Sequence, residues 1–173
     1  RKKDLTIYWS FEQKGDVLWS LTKAEYRNVP YRVQFEQMCN HIDTERPRRV
    51  CVDGTGLGGQ MAEDLQAKYG SRVEIILFRN LIKEDLATTT RRKFEDRQLR
   101  IPVDRKLRED IHNVKKVVTA AGNSRFDADS TKDGHSDRFW ALALAIHASS
   151  RPGGIIIVTV GAPRESVDKY KNY

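Results

Sequence analysis

The segment RVCVDGTGLGGQMAEDLQAKY, residues 49–69, determines how the rest of the chain is interpreted. Its first residues, RVCV, form a short apolar run that ends at Asp53, and a glycine-rich loop follows. Met61, Leu65 and Tyr69 then recur at i, i+4 and i+8, the spacing of one face of a helix. The segment therefore predicts a strand, a loop and a helix, which together are typical of an α/β fold.

The segments on either side predict further strands and helices. Leu5–Phe11 and Val17–Leu21 are rich in β-branched and aromatic residues, and the QKGD break between them predicts a hairpin. We therefore expect an α/β fold in which a mixed sheet, made of an antiparallel hairpin and parallel strands, is flanked by helices. The other expected elements are a helix after Pro30 that ends before Arg46-Pro47, a strand at Val73–Phe78, a helix at Ile82–Gln98, an edge strand or extended connection at Leu99–Val103, a helix at Arg105–Val114, a second hairpin around Gly122-Asn123 and a buried helix at Ser136–Ser149.

Length and composition indicate one domain followed by an extension. The chain has 173 residues, 39% of them hydrophobic, which suffices for a single core. The composition changes after Ser149, so we expect a domain at residues 1–150 and a C-terminal extension at residues 151–173. The longest apolar stretch, Gly153–Ala162, is shorter than the roughly 20 residues that span a bilayer, so neither a membrane-spanning helix nor a membrane partner is expected.

The two cysteines, Cys39 and Cys51, do not have the spacing of a metal-binding motif. They are also too few for a disulfide framework. We therefore expect a reducing, cytoplasmic environment and no structural zinc site.

The positive charge of the chain is concentrated in one segment. The formal net charge is +7, and residues 91–116 hold ten basic and five acidic side chains. Such a concentration favours binding to a polyanion such as nucleic acid, although a solvated helix face with i, i+4 ion pairs is an equally good explanation of the run alone. The residues expected to contact phosphates are Arg91, Arg92, Lys93 and Arg97.

The loop at residues 54–59 contains the pattern G-x-G-x-x-G between the expected strand and helix, as in dinucleotide-binding sites. Asp53 argues against a cofactor there, since its carboxylate would face a pyrophosphate, and Arg79 rather than an acid follows the next strand. A nucleotide-dependent oxidoreductase is therefore a disfavoured alternative. A tight turn explains the glycines but leaves Asp53 unexplained.

Two acidic positions are candidates for catalysis. Asp53 ends a parallel strand, where open α/β sheets bind ligands. Asp133, His135 and Asp137 precede the buried helix, where helix capping by Ser136 or Asp133 would explain one acid but not all three residues. If Asp53 and Asp137 meet, their oxygens suit two Mg²⁺ or Mn²⁺ ions, which can activate water for phosphodiester hydrolysis. Acids beside a basic surface therefore predict a nuclease.

Two motifs resemble the C-terminal nuclease domain of phage large terminase subunits, particularly those of Mu-like phages and prophages. They are VDGTGLG at residues 52–58 and DGHSDRFWALALA at residues 133–145, and the second is the more specific. The start of the chain, RKKDLT, also resembles the stretch that follows the family's first catalytic Asp. The resemblance covers residues 1–148 and implies a ribonuclease H-like fold.

The resemblance also implies roles for individual residues. Asp53 and Asp137 would be the second and third catalytic carboxylates and metal ligands, supported by Asp133 and His135. The first carboxylate is expected on a strand upstream of Arg1, and Asp4 is the less favoured substitute.

The activity implied is endonucleolytic cleavage of double-stranded concatemeric DNA in the bacterial cytoplasm. A small terminase subunit and a portal protein are the implied partners. A nucleic-acid-binding module without catalysis stays the main alternative.

Overall fold

The computed structural model describes residues 5–56, 58–118, 124–128 and 136–150. The expected extension at residues 151–173, including the apolar run Ile155–Val160, lies outside them. The elements found are the strands β1 (Leu5–Lys14), β2 (Val17–Arg27), β3 (Val50–Asp53), β4 (Val73–Ile76), β5 (Leu99–Arg100), β6 (Val114–Val118) and β7 (Ser124–Ala128), and the helices α1 (Tyr31–Glu45), α2 (Gly58–Tyr69), α3 (Asn80–Glu95), α4 (Arg105–Asn113) and α5 (Asp137–Ser149).

The strands combine antiparallel and parallel pairing, as the sequence predicted. β1 and β2 form the antiparallel hairpin, with Lys14 opposite Val17 and Gly15 in the turn at a φ of 60°. β5 adds to β2 in parallel, and β3 pairs with β4 in parallel. β6 and β7 form a second antiparallel pair. The mixed sheet flanked by helices is therefore confirmed.

Helices cover both faces of β1 because its side chains alternate between them. Tyr8 packs in a cluster with Met38 and Ile42 of α1. The next residue, Trp9, packs instead in a cluster with Leu142 and Ile146 of α5. The hairpin thus lies between α1 on one side and α5 on the other.

Helix α5 is buried on most of its circumference, as its composition predicted. Phe139, Trp140, Ala143 and Leu144 pack with residues of β4 and α3, while Leu142 and Ile146 face the hairpin and α4. The helix therefore contacts nearly every other element, and its position fixes the arrangement of the domain.

The three tryptophans differ in their burial. Trp9 and Trp140 are buried, but Trp19 is 44% exposed because it follows the buried Leu18 and points to the opposite face of β2. Its ring lies beside the cations of Lys14 and Arg100, each 5.8 Å from the ring centroid.

A buried ion-pair network ties α5 to β2 and α4. Arg138 is 1% exposed, and its Nε and Nη2 donate to the Glu25 carboxylate at 2.9 and 2.8 Å. Its backbone N–H donates to Asp110 at 3.1 Å. Burial raises the pKa of Asp110, whereas hydrogen bonds from Arg138 and Lys23 outweigh burial at Glu25 and lower the pKa of that carboxyl.

We expect Glu25→Gln to destabilise the fold by about 2 kcal/mol, since it leaves the buried Arg138 with one carboxylate partner. Loss of one partner from a fully buried ion pair costs roughly 3–5 kcal/mol. The expected loss is smaller here because Glu25 retains contact with water. The pKa of Glu25 is lowered from 4.5, so its charge stabilises the fold above that pH and the effect is lost as the pH falls through the lowered value.

The stability difference between wild type and variant should therefore narrow below about pH 4.5 in urea titrations. The matched control is Glu12→Gln, which breaks the exposed pair with Lys14 and should change stability little. A difference that does not depend on pH would contradict the assigned role of the Glu25 charge.

Candidate active site

Asp53 is the last residue of β3 and lies at the carboxyl end of the parallel pair. Its Oδ1 accepts a hydrogen bond from the backbone N–H of Thr55 at 2.8 Å. The Thr55 hydroxyl accepts a hydrogen bond from the N–H of Phe78 at 2.9 Å, and Gly54 donates to the carbonyl of Ile76 at the same distance. The loop after Asp53 is therefore tied to the segment after β4, and the carboxylate is held in place.

Close packing accounts for two glycines of this loop without a bound nucleotide. A Cβ on Gly54 would lie 2.3 Å from Cγ2 of Ile75, and a Cβ on Gly58 would lie 2.6 Å from the carbonyl oxygen of Asp53. Gly56 has a φ of 61°, which favours glycine. The glycines thus allow α2 to begin directly against the backbone of Asp53.

Asp137 is the first residue of α5 and contacts the beginning of β1. Its Oδ2 accepts a hydrogen bond from the backbone N–H of Leu5 at 3.0 Å. Ser136 stands at the N-cap position with a left-handed φ of 60°, but its buried hydroxyl makes no capping hydrogen bond within the described residues. The Ser136 hydroxyl therefore does not act as the cap, whereas the contact with Leu5 places the Asp137 carboxylate beside the sheet.

A groove of 1720 Å³, which we call the central groove, is lined by both Asp53 and Asp137. Its walls are β1 and β3, and side chains of α1, α2 and α5 line it as well. Among the described strands, β1 is hydrogen-bonded only to β2 and β3 only to β4, so the walls are the outer edges of two separate sheets. Asp53 and Asp137 thus reach the same space from a strand and a helix.

The walls of the central groove run in opposite directions. β1 begins beside Asp137, the first residue of α5. β3 begins at the other end of α5, where Nη1 of Arg49 donates to the carbonyl of His147 at 2.9 Å. An extended segment lying between them would be parallel to one wall and antiparallel to the other.

The other predicted ligands, Asp4, Asp133 and His135, lie outside the described residues. Within the described ranges, neither Asp53 nor Asp137 belongs to a group of three Cys, His, Asp or Glu ligand atoms that lie within 4.8 Å of one another.

The structure does not bring the four predicted phosphate-binding residues to the two acids. Helix α3 begins at Asn80, after β4, and Arg91 lies about 17 Å further along its axis at 1.5 Å per residue. Arg91 pairs with Glu95 at 2.7 Å, and Lys93 donates to Gln98 at 2.7 Å. Arg92 and Arg97 are exposed near the same end of the helix.

Lys83 is a basic residue near the site that the sequence analysis missed. It lies in the first turn of α3 and lines the central groove, and its Nζ is 5.2 Å from the ring centroid of Trp140. Lys83 stands apart from the basic run at residues 91–116, so a concentration of charge does not reveal it. Its position shortly after a strand end is the signal that could have identified it.

None of the described helices is both long and apolar enough to cross a bilayer.

The chain is similar to several known phage and prophage proteins. It is 28% identical over 165 residues to the Mu-like prophage FluMu protein gp28 of Haemophilus influenzae. The matched region covers 90% of this chain and 32% of that protein. The chain thus spans about a third of the length of this curated relative.

Two solved structures of the large terminase nuclease from the thermophilic phage G20c have the same fold. The form with bound magnesium has a TM-score of 0.70 at 21% identity, over 85% of this chain and 76% of the other. The form with bound cobalt has a TM-score of 0.64 at 20% identity, over 83% and 81% of the two chains. The ribonuclease H-like fold expected from the sequence is thereby confirmed.

The sequence motifs point to the same family as the fold. A sequence model described as the terminase RNaseH-like domain matches residues 1–149, which include Asp53 and Asp137 and nearly all of the described structure. The chain belongs to the terminase RNaseH-like domain family.

Proposed function

We propose that this chain is the metal-dependent DNA endonuclease domain of a viral DNA-packaging terminase large subunit, and that it hydrolyses phosphodiester bonds of concatemeric DNA. The observation that supports the proposal is that Asp53 and Asp137 line the same groove. The bound magnesium and cobalt of the two similar large terminase nucleases support a divalent metal at such a site.

The donor set fits Mg²⁺ or Mn²⁺, since carboxylate oxygens are the ligands that these hard cations prefer. Asp53 and Asp137 would hold two ions, with Asp133, His135 and, less favoured, Asp4 as supporting ligands. Two bound ions would activate a water and stabilise the leaving oxygen. The chain contributes preorganisation, because the N–H groups of Thr55 and Leu5 fix the two carboxylates before DNA binds.

Conversion of either carboxylate to an amide should abolish metal-dependent cleavage. We expect Asp53→Asn and Asp137→Asn to lower plasmid nicking in Mn²⁺ by at least about 100-fold, because an amide oxygen binds the metal without neutralising its charge. Asp16→Asn, on an exposed hairpin turn, is the matched control and should cleave normally. Equal nicking by all the variants would refute the site.

We further propose that a strand carrying the first carboxylate, encoded upstream of Arg1, occupies the central groove. The two strand edges that form its walls support this, since each offers backbone groups for pairing. Such a strand would join the hairpin to β3 and β4 in one mixed sheet and place a third carboxylate near the other two.

Proteins extended upstream through an apolar strand with one Asp should bind Mn²⁺ and nick plasmid DNA, and replacement of that Asp by Asn should abolish nicking. The extension should also raise the melting temperature, because the added strand would pair with the walls of the central groove. Equal melting temperatures and equal nicking with and without the extension would contradict the assignment of the groove to this strand.

We propose that DNA contacts both ends of α3, with Lys83 near the cut and Arg91, Arg92, Lys93 and Arg97 on flanking phosphates. A plot of the logarithm of the DNA-binding constant against the logarithm of the salt concentration has a negative slope. Each phosphate contact removed should reduce the magnitude of this slope by about 0.9. The variant in which Arg91, Arg92, Lys93 and Arg97 are all changed to Gln should therefore reduce the magnitude of the slope by up to about four times that amount.

Lys83→Gln should flatten the slope by about 0.9 and also slow nicking, because Lys83, unlike the four residues at the far end of α3, lines the central groove with the acids. The control is Lys14→Gln, on the exposed end of the hairpin, which should alter neither quantity. If salt dependence is unchanged in both the Lys83 and the fourfold variant, α3 is not the DNA-binding helix.

A nucleic-acid-binding module without catalysis is the second candidate function, favoured because neither Asp53 nor Asp137 belongs to a group of three close ligand atoms among the described residues. It predicts salt-dependent DNA binding with no metal-dependent nicking, even in the upstream-extended protein. The leading proposal, the nuclease, also includes binding to a small terminase subunit and a portal protein. It places the activity in the bacterial cytoplasm.

A further inference from the structure

A second group of metal-ligating side chains lies at the opposite end of α5 from Asp137. Cys51 of β3, Glu74 of β4 and His147 of α5 each place one ligand atom within 4.8 Å of the other two, and all three residues are half-buried. We propose that these residues bind a zinc-class divalent ion, at a site separate from the carboxylates of the active site.

Strand register and one arginine bring the three side chains together. Cys51 and Glu74 are direct partners in the β3–β4 pair, so they stand side by side on the same face of the sheet. Nε of Arg49 donates to Oε2 of Glu74 at 2.8 Å, and its Nη1 donates to the carbonyl of His147 at 2.9 Å. Arg49 thus holds β4 and the end of α5 against the start of β3 before any ion is bound.

The donor chemistry favours zinc over magnesium. A thiolate, an imidazole and a carboxylate form the mixed set that zinc-class ions take, whereas Mg²⁺ requires oxygen ligands. Atoms at the corners of a triangle with 4.8 Å sides lie about 2.8 Å from its centre, so side-chain shifts below about 1 Å reach the 2.0–2.3 Å of zinc bonds. Cys51 also lines the central groove, from which water can supply a fourth ligand.

Sequence spacing could not indicate this site. Its ligands are at positions 51, 74 and 147, and the second cysteine, Cys39, is buried in the cluster around α1 instead. The expectation that the chain has no structural zinc site depended on the spacing of the cysteines, which does not take Glu74 and His147 into account.

The bound ion would cross-link β3, β4 and the last turn of α5. Because only the folded chain assembles these ligands, binding would stabilise the fold by mass action. The strand held in this way is the one that ends at Asp53, so the ion would stiffen the support of the active site without taking part in cleavage.

Titration of the purified protein with Co²⁺ tests the site. We expect a thiolate-to-cobalt charge-transfer band in the near ultraviolet, which Zn²⁺ removes by displacement. Cys51→Ser should eliminate this band, and His147→Asn should weaken Zn²⁺ binding about tenfold or more. Cys39→Ser is the matched control, because it removes the only other thiol of the chain and should leave the band unchanged.

The same titration separates this site from the active site. Asp53→Asn should keep the band, since carboxylate ligands give no thiolate transition, so failure of the proposed nuclease would not affect the result. Circular dichroism establishes that each variant is folded, and His147→Asn provides a second test if Cys51→Ser is not. Absence of the band in the wild type, or its persistence in Cys51→Ser, would overturn the proposal.

Discussion

The burial of Arg138 is the constraint on which the rest of the structure depends. A guanidinium in the core is tolerated only when carboxylates compensate its charge, because desolvation of an unpaired charge costs several kcal/mol. Glu25 of β2 and Asp110 of α4 provide that compensation, so α5 can dock in only one rotation and one axial position. Asp137 directly precedes Arg138 and is thereby fixed beside Leu5.

The same docking determines the position of the other end of α5. With its first residue at the start of β1, the helix runs back along the sheet and delivers His147 to the beginning of β3. Cation–carboxylate pairs fix both ends of this apolar helix, Arg138 with Glu25 at the first and Arg49 with Glu74 near the last. The apolar residues between them supply most of the packing energy, but they do not by themselves specify the register.

Much of the fold could be predicted because its signals are local. The hairpin turn, the helix spacing of residues 61–69 and the apolar composition of α5 follow from neighbouring residues, and so does the position of Asp53 at a strand end. The contact of Asp137 with Leu5 spans 132 residues, and no local pattern encodes it.

The features that the sequence did not predict depend on contacts between residues far apart in the chain, or on the direction in which a strand or helix runs. The exposure of Trp19 follows from the strand face on which it falls, which composition does not reveal. The distance of Arg91 from Asp53 follows from the direction of α3, since a charge count gives the amount of positive charge but not its location. Cys51 gains Glu74 and His147 as neighbours only through strand register and helix docking.

The steric demand at Gly54 and Gly58 has a consequence for comparing sequences within this family. A side chain at either position would collide with Ile75 or with the backbone of Asp53, so evolution is expected to keep both glycines whatever the loop binds. An alignment that shows them invariant would therefore record how closely α2 approaches β3. Searches that score glycine spacing alone would confuse this loop with a nucleotide-binding loop, and the aspartate before the first glycine distinguishes the two.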